Sequence, residues 1–193
     1  MPRISGWSHP LPHVPQRVLV TGASGSGKPT VAARVATVLG LPHTEIDGLY
    51  HGRGWVPRES FLDDVRALVA GPRWVVEWQY GVARPLLLAR ADTLVWLDLP
   101  RRVVLARVVL RTVRRRLRRI ELWNGNLEPP LWTFFTERDH IVRWSWRTHP
   151  AVARRVHAAL SREHGDRVHV VRLRSRREVA AWVEGPLSTV ARR

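Results

Sequence analysis

The sequence predicts an α/β domain built on a parallel sheet, and three observations carry that expectation. Short apolar runs alternate with longer segments of helical periodicity along most of the 193 residues. Parallel strands need long crossovers, and helices supply them on both faces of a sheet. A glycine-rich loop, residues 22–28 (GASGSGK), joins the first strand-like run to the first helical one. Acidic residues close several of the apolar runs, at the carboxyl ends where open α/β sheets place their ligands.

Along the chain, residues 1–16 hold four prolines and little periodicity, and read as an extended leader to one domain over residues 17–193. Residues 17–21 (RVLVT) form the first strand candidate, and residues 30–39 a helix closing at Gly40. Residues 43–47 are a second strand candidate and 59–70 an amphipathic helix. Residues 74–77 (WVVE) are a third strand, 83–90 a short helix and 93–99 (TLVWLDL) the clearest strand of all. A long helix follows over 101–119, then a loop to residue 130 and helix over 137–162 with a break at Pro150. Residues 167–173 supply a fifth strand and 176–183 a last helix. Trp74, Trp96 and Trp182 fit core positions, whereas Trp55, Trp78 and Trp123 fall in loops, where an indole can stack on a base or cover a substrate.

An apolar content of 45% with ten tryptophans excludes a disordered chain. Without cysteine there is neither a disulfide framework nor a thiolate metal site, which fits a reducing compartment. The nine histidines show no metal-binding spacing, so no structural metal is expected. No apolar run approaches bilayer length and the first residues lack a secretory apolar core, so a cytoplasmic protein without a membrane partner is expected. A net charge of +16 attracts polyanions such as nucleic acid or phosphorylated substrates. Among 32 basic residues Lys28 is the only lysine. Coding bias can spread arginine over a surface, but a retained lysine marks a place that wants a compact ammonium on a flexible stem.

Lys28 closes the pattern G-x-x-x-x-G-K. Glycines let the backbone approach a phosphate closely, and successive N–H groups at a helix start form an anion-binding nest. Gly22, Ser24, Gly25, Ser26, Gly27, Lys28 and Thr30 are therefore the candidate nucleotide contacts. Pro29 breaks the pattern. A hydroxyl residue normally follows the lysine and meets Mg²⁺. Proline suits a first helical turn but removes that hydroxyl and one N–H from the cradle; Thr30 offers the next hydroxyl.

Three carboxylates end predicted strands. Asp47 is the candidate for the acceptor hydroxyl, and Glu77 for Mg²⁺, through water, or for the base. Asp98 is also a candidate cap for the next helix. Residues 101–119 hold nine arginines and no acid, with Arg107, Arg111, Arg114 and Arg118 on one predicted face. Such forks can neutralise phosphate oxygens; equally, they can form a solvated basic helix that touches nucleic acid. Arg107 and Arg111 are favoured for phosphate.

From residue 17 onward, the order of features resembles the adenylate-kinase-like P-loop kinases, and most of all their topology-modulation-protein branch. The matching stretches are residues 20–28, 41–50 (LPHTEIDGLY), 74–77 with Tyr80, 89–100 (ARADTLVWLDLP) and 171–178 (VRLRSRRE). The resemblance implies a P-loop NTPase fold with a five-stranded parallel sheet and helices on both faces. It also implies a helical, arginine-rich lid around residues 111–135 and an adenine-side turn at Arg174-Ser175-Arg176, with Arg174 as the candidate contact. Function then divides into two expectations. The first is an ATP-dependent small-molecule kinase using Mg²⁺ (GTP is not excluded), with Lys28, Asp47, Glu77 and Arg111 as the catalytic set. The second is a nucleotide-binding module with little turnover that holds nucleic acid on its arginine face.

Overall fold

In a computed structural model, residues 4–118, 120–126, 141–160 and 167–192 are described. Ile4–Ser5 (β1), Arg17–Gly22 (β2), His43–Thr44 (β3), Trp74–Glu77 (β4), Thr93–Leu97 (β5) and His169–Leu173 (β6) make one sheet. All pairings are parallel, and the order is β1-β6-β5-β2-β4-β3. The inner strands read as near-continuous apolar runs because both faces are covered; every residue of β4 and β5 is buried.

Alternate residues of β2 separate the two cores. Leu19 joins Val65 and Val69 of α3 (Phe61–Ala70), Leu87 of α4 (Arg84–Arg90) and Val152 and Val156 of α6 (Ile141–Leu160). Val18 and Val20 join Val31 and Val35 of α1 (Lys28–Leu39) and Trp182 of α7 (Arg176–Trp182) on the other face. After α7 a π-helical turn, Val183–Leu187, leads into α8 (Ser188–Ala191). Trp74, Trp96 and Trp182 are buried, as their sequence positions suggest.

Four expectations need correction. The sheet has six strands among the described residues rather than five, because β1 lies in the stretch expected to be an extended leader. It pairs with β6, and Leu11 is buried behind it. The second strand stops at Thr44, and α2 (Ile46–Tyr50) takes its place. Ile46, Leu49 and Tyr50 are spaced i, i+3, i+4, so a helix rather than a strand turns them all onto the core. Pro150 does not break α6. A proline inside a helix forfeits a hydrogen bond, and here the burial of Val152, Val156, Ala159 and Leu160 beyond it offsets that loss. Finally, Asp98 does not cap α5 (Arg101–Leu117), whose N-cap position is Pro100. Its carboxylate accepts two hydrogen bonds from Arg172, Nε at 2.8 Å and Nη2 at 2.5 Å.

Asp92, just before β5, ties the N-terminal segment to the sheet. Its Oδ2 accepts from the backbone N–H groups of Gln16 (3.1 Å) and Arg17 (2.8 Å), and Oδ1 from the Thr93 hydroxyl (2.9 Å). Asp92→Ala leaves those donors unmatched at the start of a central strand. It is expected to cost about 1–3 kcal/mol, seen as a lower denaturant midpoint at unchanged slope; an unchanged midpoint would show that water replaces the carboxylate.

Candidate functional site

The glycine loop leaves the carboxyl end of β2 and enters α1. Gly27 is the N-cap at φ +94°, a left-handed conformation that suits glycine. Gly25, at φ +87°, lies against α5, and a Cβ there would sit 2.4 Å from Val108 Cγ2 and 2.8 Å from the Val104 carbonyl. The loop is thus seated on α5 by a contact only glycine permits. Lys28 begins α1 and is 6% exposed, with Nζ donating to the Ala23 carbonyl at 3.3 Å. Burial lowers its pKa to about 8, against the attraction of Asp47 and with further lowering from Arg111. Pro29 lies in the first turn. The buried Ser26 hydroxyl has no protein partner among the described residues, so a phosphate oxygen can take it.

α5 brings arginines to this loop. Arg107 Nη1 donates to the Ser26 carbonyl at 3.1 Å, and Arg111 Nη2 approaches Ser24 Oγ at 3.5 Å. Burial, with Arg176 nearby, holds the Arg107 pKa below its ordinary value. The third member of the row is Arg115, at i+8, not Arg114 or Arg118. Arg107, Arg111 and Arg115 line the cavity while the other two are exposed.

Opposite the loop, Asp47 stands in the first turn of α2. Its Oδ1 accepts from Gln79 Nε2 (3.1 Å) and the Tyr80 hydroxyl (2.6 Å). Tyr80 holds a left-handed φ of +54° and stacks on Tyr50 at 3.9 Å. Burial first, and then Asp47, raises its pKa far above the ordinary phenol value. His51 Nε2 lies 3.1 Å from the Tyr80 oxygen. Since Tyr80 gives its hydrogen to Asp47, this hydrogen-bond network assigns the ring hydrogen to Nε2. Burial lowers the His51 pKa, against the pull of Asp47.

The turn after α5 folds over this end. Trp123 Nε1 donates to Glu45 Oε2 at 2.8 Å, and Asn126 Nδ2 donates to the Gly52 carbonyl at 2.9 Å. Asn126 Oδ1 in turn accepts from the Trp55 N–H at 3.0 Å. Trp55, Trp78 and Trp123 all line the resulting cavity of about 1360 Å³. Of the segment expected to form a lid, Arg111 belongs to the continuous helix α5, and residues 119 and 127–135 lie outside the described residues.

Gly22, Ser24, Gly25, Ser26, Gly27, Lys28, Thr30, Asp47, Arg107 and Arg111 are brought to one cavity. Glu77 and Arg174 are not among its lining. Glu77 is 1% exposed, with Oε2 accepting from the Ile46 N–H (2.9 Å) and Oε1 beside His43 Nε2 (3.1 Å). It therefore fixes the β3–α2 junction that carries Asp47. The Arg174 N–H donates to Glu178, and Arg176 with Val179 lines the cavity instead. Sequence reasoning missed Arg84, Arg155, Gln79 and His51, and named Arg176 only as part of the adenine-side turn. Only Gln79 and His51 carried a signal, as neighbours of Tyr80 and Asp47 in sequence.

A Mg²⁺ ion held by Thr30 and Glu77 does not fit these residues, because both Glu77 oxygens are engaged away from the cavity and Pro29 lacks a hydroxyl. Thr30 alone of the two offers an oxygen there, and no group of three His, Asp or Glu suited to a metal occurs among the described residues. Among the described residues no helix is long and apolar enough to cross a membrane.

No family model matches the chain, and no curated protein matches it. Solved structures that share its fold include two kinases. A shikimate kinase from Bacteroides thetaiotaomicron superposes with a TM-score of 0.52 at 14% identity, over 88% of this chain and 95% of that one. A gluconokinase from Sinorhizobium meliloti 1021 gives 0.50 at 21% identity, over 93% and 94%. The chain thus has an α/β fold with a parallel sheet that matches the fold of these two kinases.

The lowered Lys28 pKa sets a pH dependence. A polyanion on the loop favours the ammonium and raises that pKa, so binding above pH 8 takes up a proton. Triphosphate affinity is expected to fall about tenfold between pH 8 and 9.5. Calorimetry in buffers of different ionisation enthalpy should show proton uptake that Lys28→Ala abolishes; a pH-independent affinity would contradict it.

Proposed function

We propose that the chain is an ATP-dependent phosphotransferase acting on the hydroxyl of a small molecule. The observation that carries this reading is that Lys28 of the glycine loop and Asp47 of α2 face one cavity, with Arg107 and Arg111 laid on the loop. The triphosphate lies along residues 22–30, where N–H groups, the Ser26 hydroxyl, Lys28 and the α5 arginines meet its oxygens. The acceptor lies beside Asp47, between the aromatic walls. Its hydroxyl oxygen attacks the γ-phosphorus and the bond to the β–γ bridging oxygen breaks. The electron pair leaves with the nucleoside diphosphate, and the hydroxyl proton passes to Asp47 Oδ2. Gln79 and Tyr80 hold Oδ1 and so aim that second oxygen. Lys28 and the arginines balance the charge of the transferring group, as phosphoryl transfer requires.

A nucleic-acid-binding role for the arginine face is the weaker reading, because Arg107, Arg111 and Arg115 turn inward to the cavity. Kinship with the topology-modulation proteins and a lid over residues 111–135 belong to this proposal. The Trp123–Asn126 contacts over residues 45–55 support the lid.

The test is transfer of labelled phosphate from ATP into a metabolite extract, with nucleotide affinity measured in parallel. Lys28→Ala should weaken binding about 10-fold or more. Asp47→Asn should keep the affinity and lose about 10²–10⁴ in transfer, the range of general base catalysis. Pro29→Ser restores a phosphate-facing N–H and a hydroxyl, and should tighten binding by one to two decades, the equivalent of about 1.5–3 kcal/mol. No labelled product, or equal loss of binding in Asp47→Asn, would contradict the assignment.

A further inference from the structure

A nucleotide on the glycine loop leaves Arg84 and Arg155 of the cavity without a counter-charge among the described residues. Arg107 and Arg111 reach the loop, but Arg84 and Arg155 stand on α4 and α6, helices on the sheet face opposite α1. Both line the cavity and both are partly buried. Among the described residues neither forms an ion pair with a carboxylate. Arg155 spends its Nε–H on the Ala151 carbonyl of its own helix at 3.1 Å, which leaves its two terminal amino groups for a ligand. Arg84 Nη2 lies 3.3 Å from where a Gly81 Cβ would stand. Its guanidinium therefore sits beside the residue next to Tyr80, whose hydroxyl holds Asp47.

The two guanidinium groups are desolvated together and repel. Burial lowers the pKa of each, and Arg84 is the next cause of the lowering at Arg155. Two like charges held in a concave wall without a counter-charge are a standing electrostatic cost, and a bound anion relieves it. Each fork can meet a carboxylate or a phosphate with paired N–H donors.

We propose that Arg84 and Arg155 form an anion clamp in the acceptor half of the cavity, so that the acceptor is a hydroxyl compound carrying a carboxylate or phosphate group. The inference rests on reading the cavity as a phosphotransferase site. The clamp holds the acceptor's charged end while its hydroxyl meets Asp47. An uncharged sugar or nucleoside would leave both arginines unmatched.

Inorganic phosphate and, separately, malonate are titrated calorimetrically into protein saturated with a non-hydrolysable ATP analogue, at ionic strength fixed with chloride. At least one anion should bind at one site per chain. Arg84→Gln and Arg155→Gln should each weaken it about 10-fold or more, while Arg102→Gln, an exposed position of α5 outside the cavity, should not. Arg84→Lys and Arg155→Lys keep the charge but lose the fork; they should weaken binding by a smaller factor, and they replace the Gln variants if those do not fold. Phosphate alone binding points to a phosphorylated acceptor, and malonate alone to a carboxylic acid. Absence of binding by either anion, binding that the variants retain, or a loss confined to nucleotide affinity overturns the clamp. If the analogue itself fails to bind, the phosphotransferase reading falls; the titration without it, compared across the same variants, still decides the clamp.

Discussion

One constraint organises this molecule: among the described residues, a buried ammonium shares a cavity with seven arginines and two carboxylates. Lys28, Arg34, Arg84, Arg107, Arg111, Arg115, Arg155 and Arg176 line it, against Glu45 and Asp47. Such a concentration of like charge is unfavourable while the cavity holds only water, and the low-dielectric walls sharpen it. Burial first lowers the pKa of Lys28, Arg84, Arg107 and Arg155, and neighbouring arginines lower those of Lys28, Arg107 and Arg155 further. The two hydrophobic cores must stabilise the domain against it, and a polyanionic ligand removes it. On the proposed function, affinity for phosphate rests on this charge distribution as well as on the glycine loop.

The acids near the carboxyl edge of the sheet serve two ends. Glu77 and Asp98 satisfy donors of the scaffold there, the Ile46 N–H and Arg172, as Asp92 does at the opposite, amino edge for the start of β2. By spending Glu77 on the β3–α2 junction, the fold places Asp47 on a short helix facing Lys28. Asp47 is then tethered through one oxygen by Gln79 and Tyr80. The positive φ of Tyr80 is the strain accepted for that tether, supported by its stacking on Tyr50. Structural and chemical carboxylates thus stand within one layer of contacts, which is how precise positioning is achieved.

Much of this was legible in the sequence because it depends on local pattern. The glycine spacing, the continuous apolar runs of β2, β4 and β5 and the i, i+4 spacing of Arg107 and Arg111 each express a rule with one solution. What escaped depends on contacts distant in sequence. β1 is two residues long and is recognised only through its pairing with β6. The second strand looked longer because no glycine or proline interrupts residues 43–47; only the clamp from Glu77, 31 residues from Ile46, shows that the chain turns there. Arg174 and Arg176 differ by two positions, and the side chain that reaches the cavity is fixed by where α7 starts. Arg84 and Arg155 come from separate helices and share no motif, so their juxtaposition exists only in the folded chain.

The most direct measurement is amide hydrogen exchange with and without ATP. If a triphosphate seats on the loop beneath α5, the N–H groups of residues 24–28 should gain protection together with the facing turn of α5, and Lys28→Ala should abolish both. Exchange at residues 24–28 that ATP leaves unchanged, or protection that appears only elsewhere, would contradict a nucleotide site at the glycine loop.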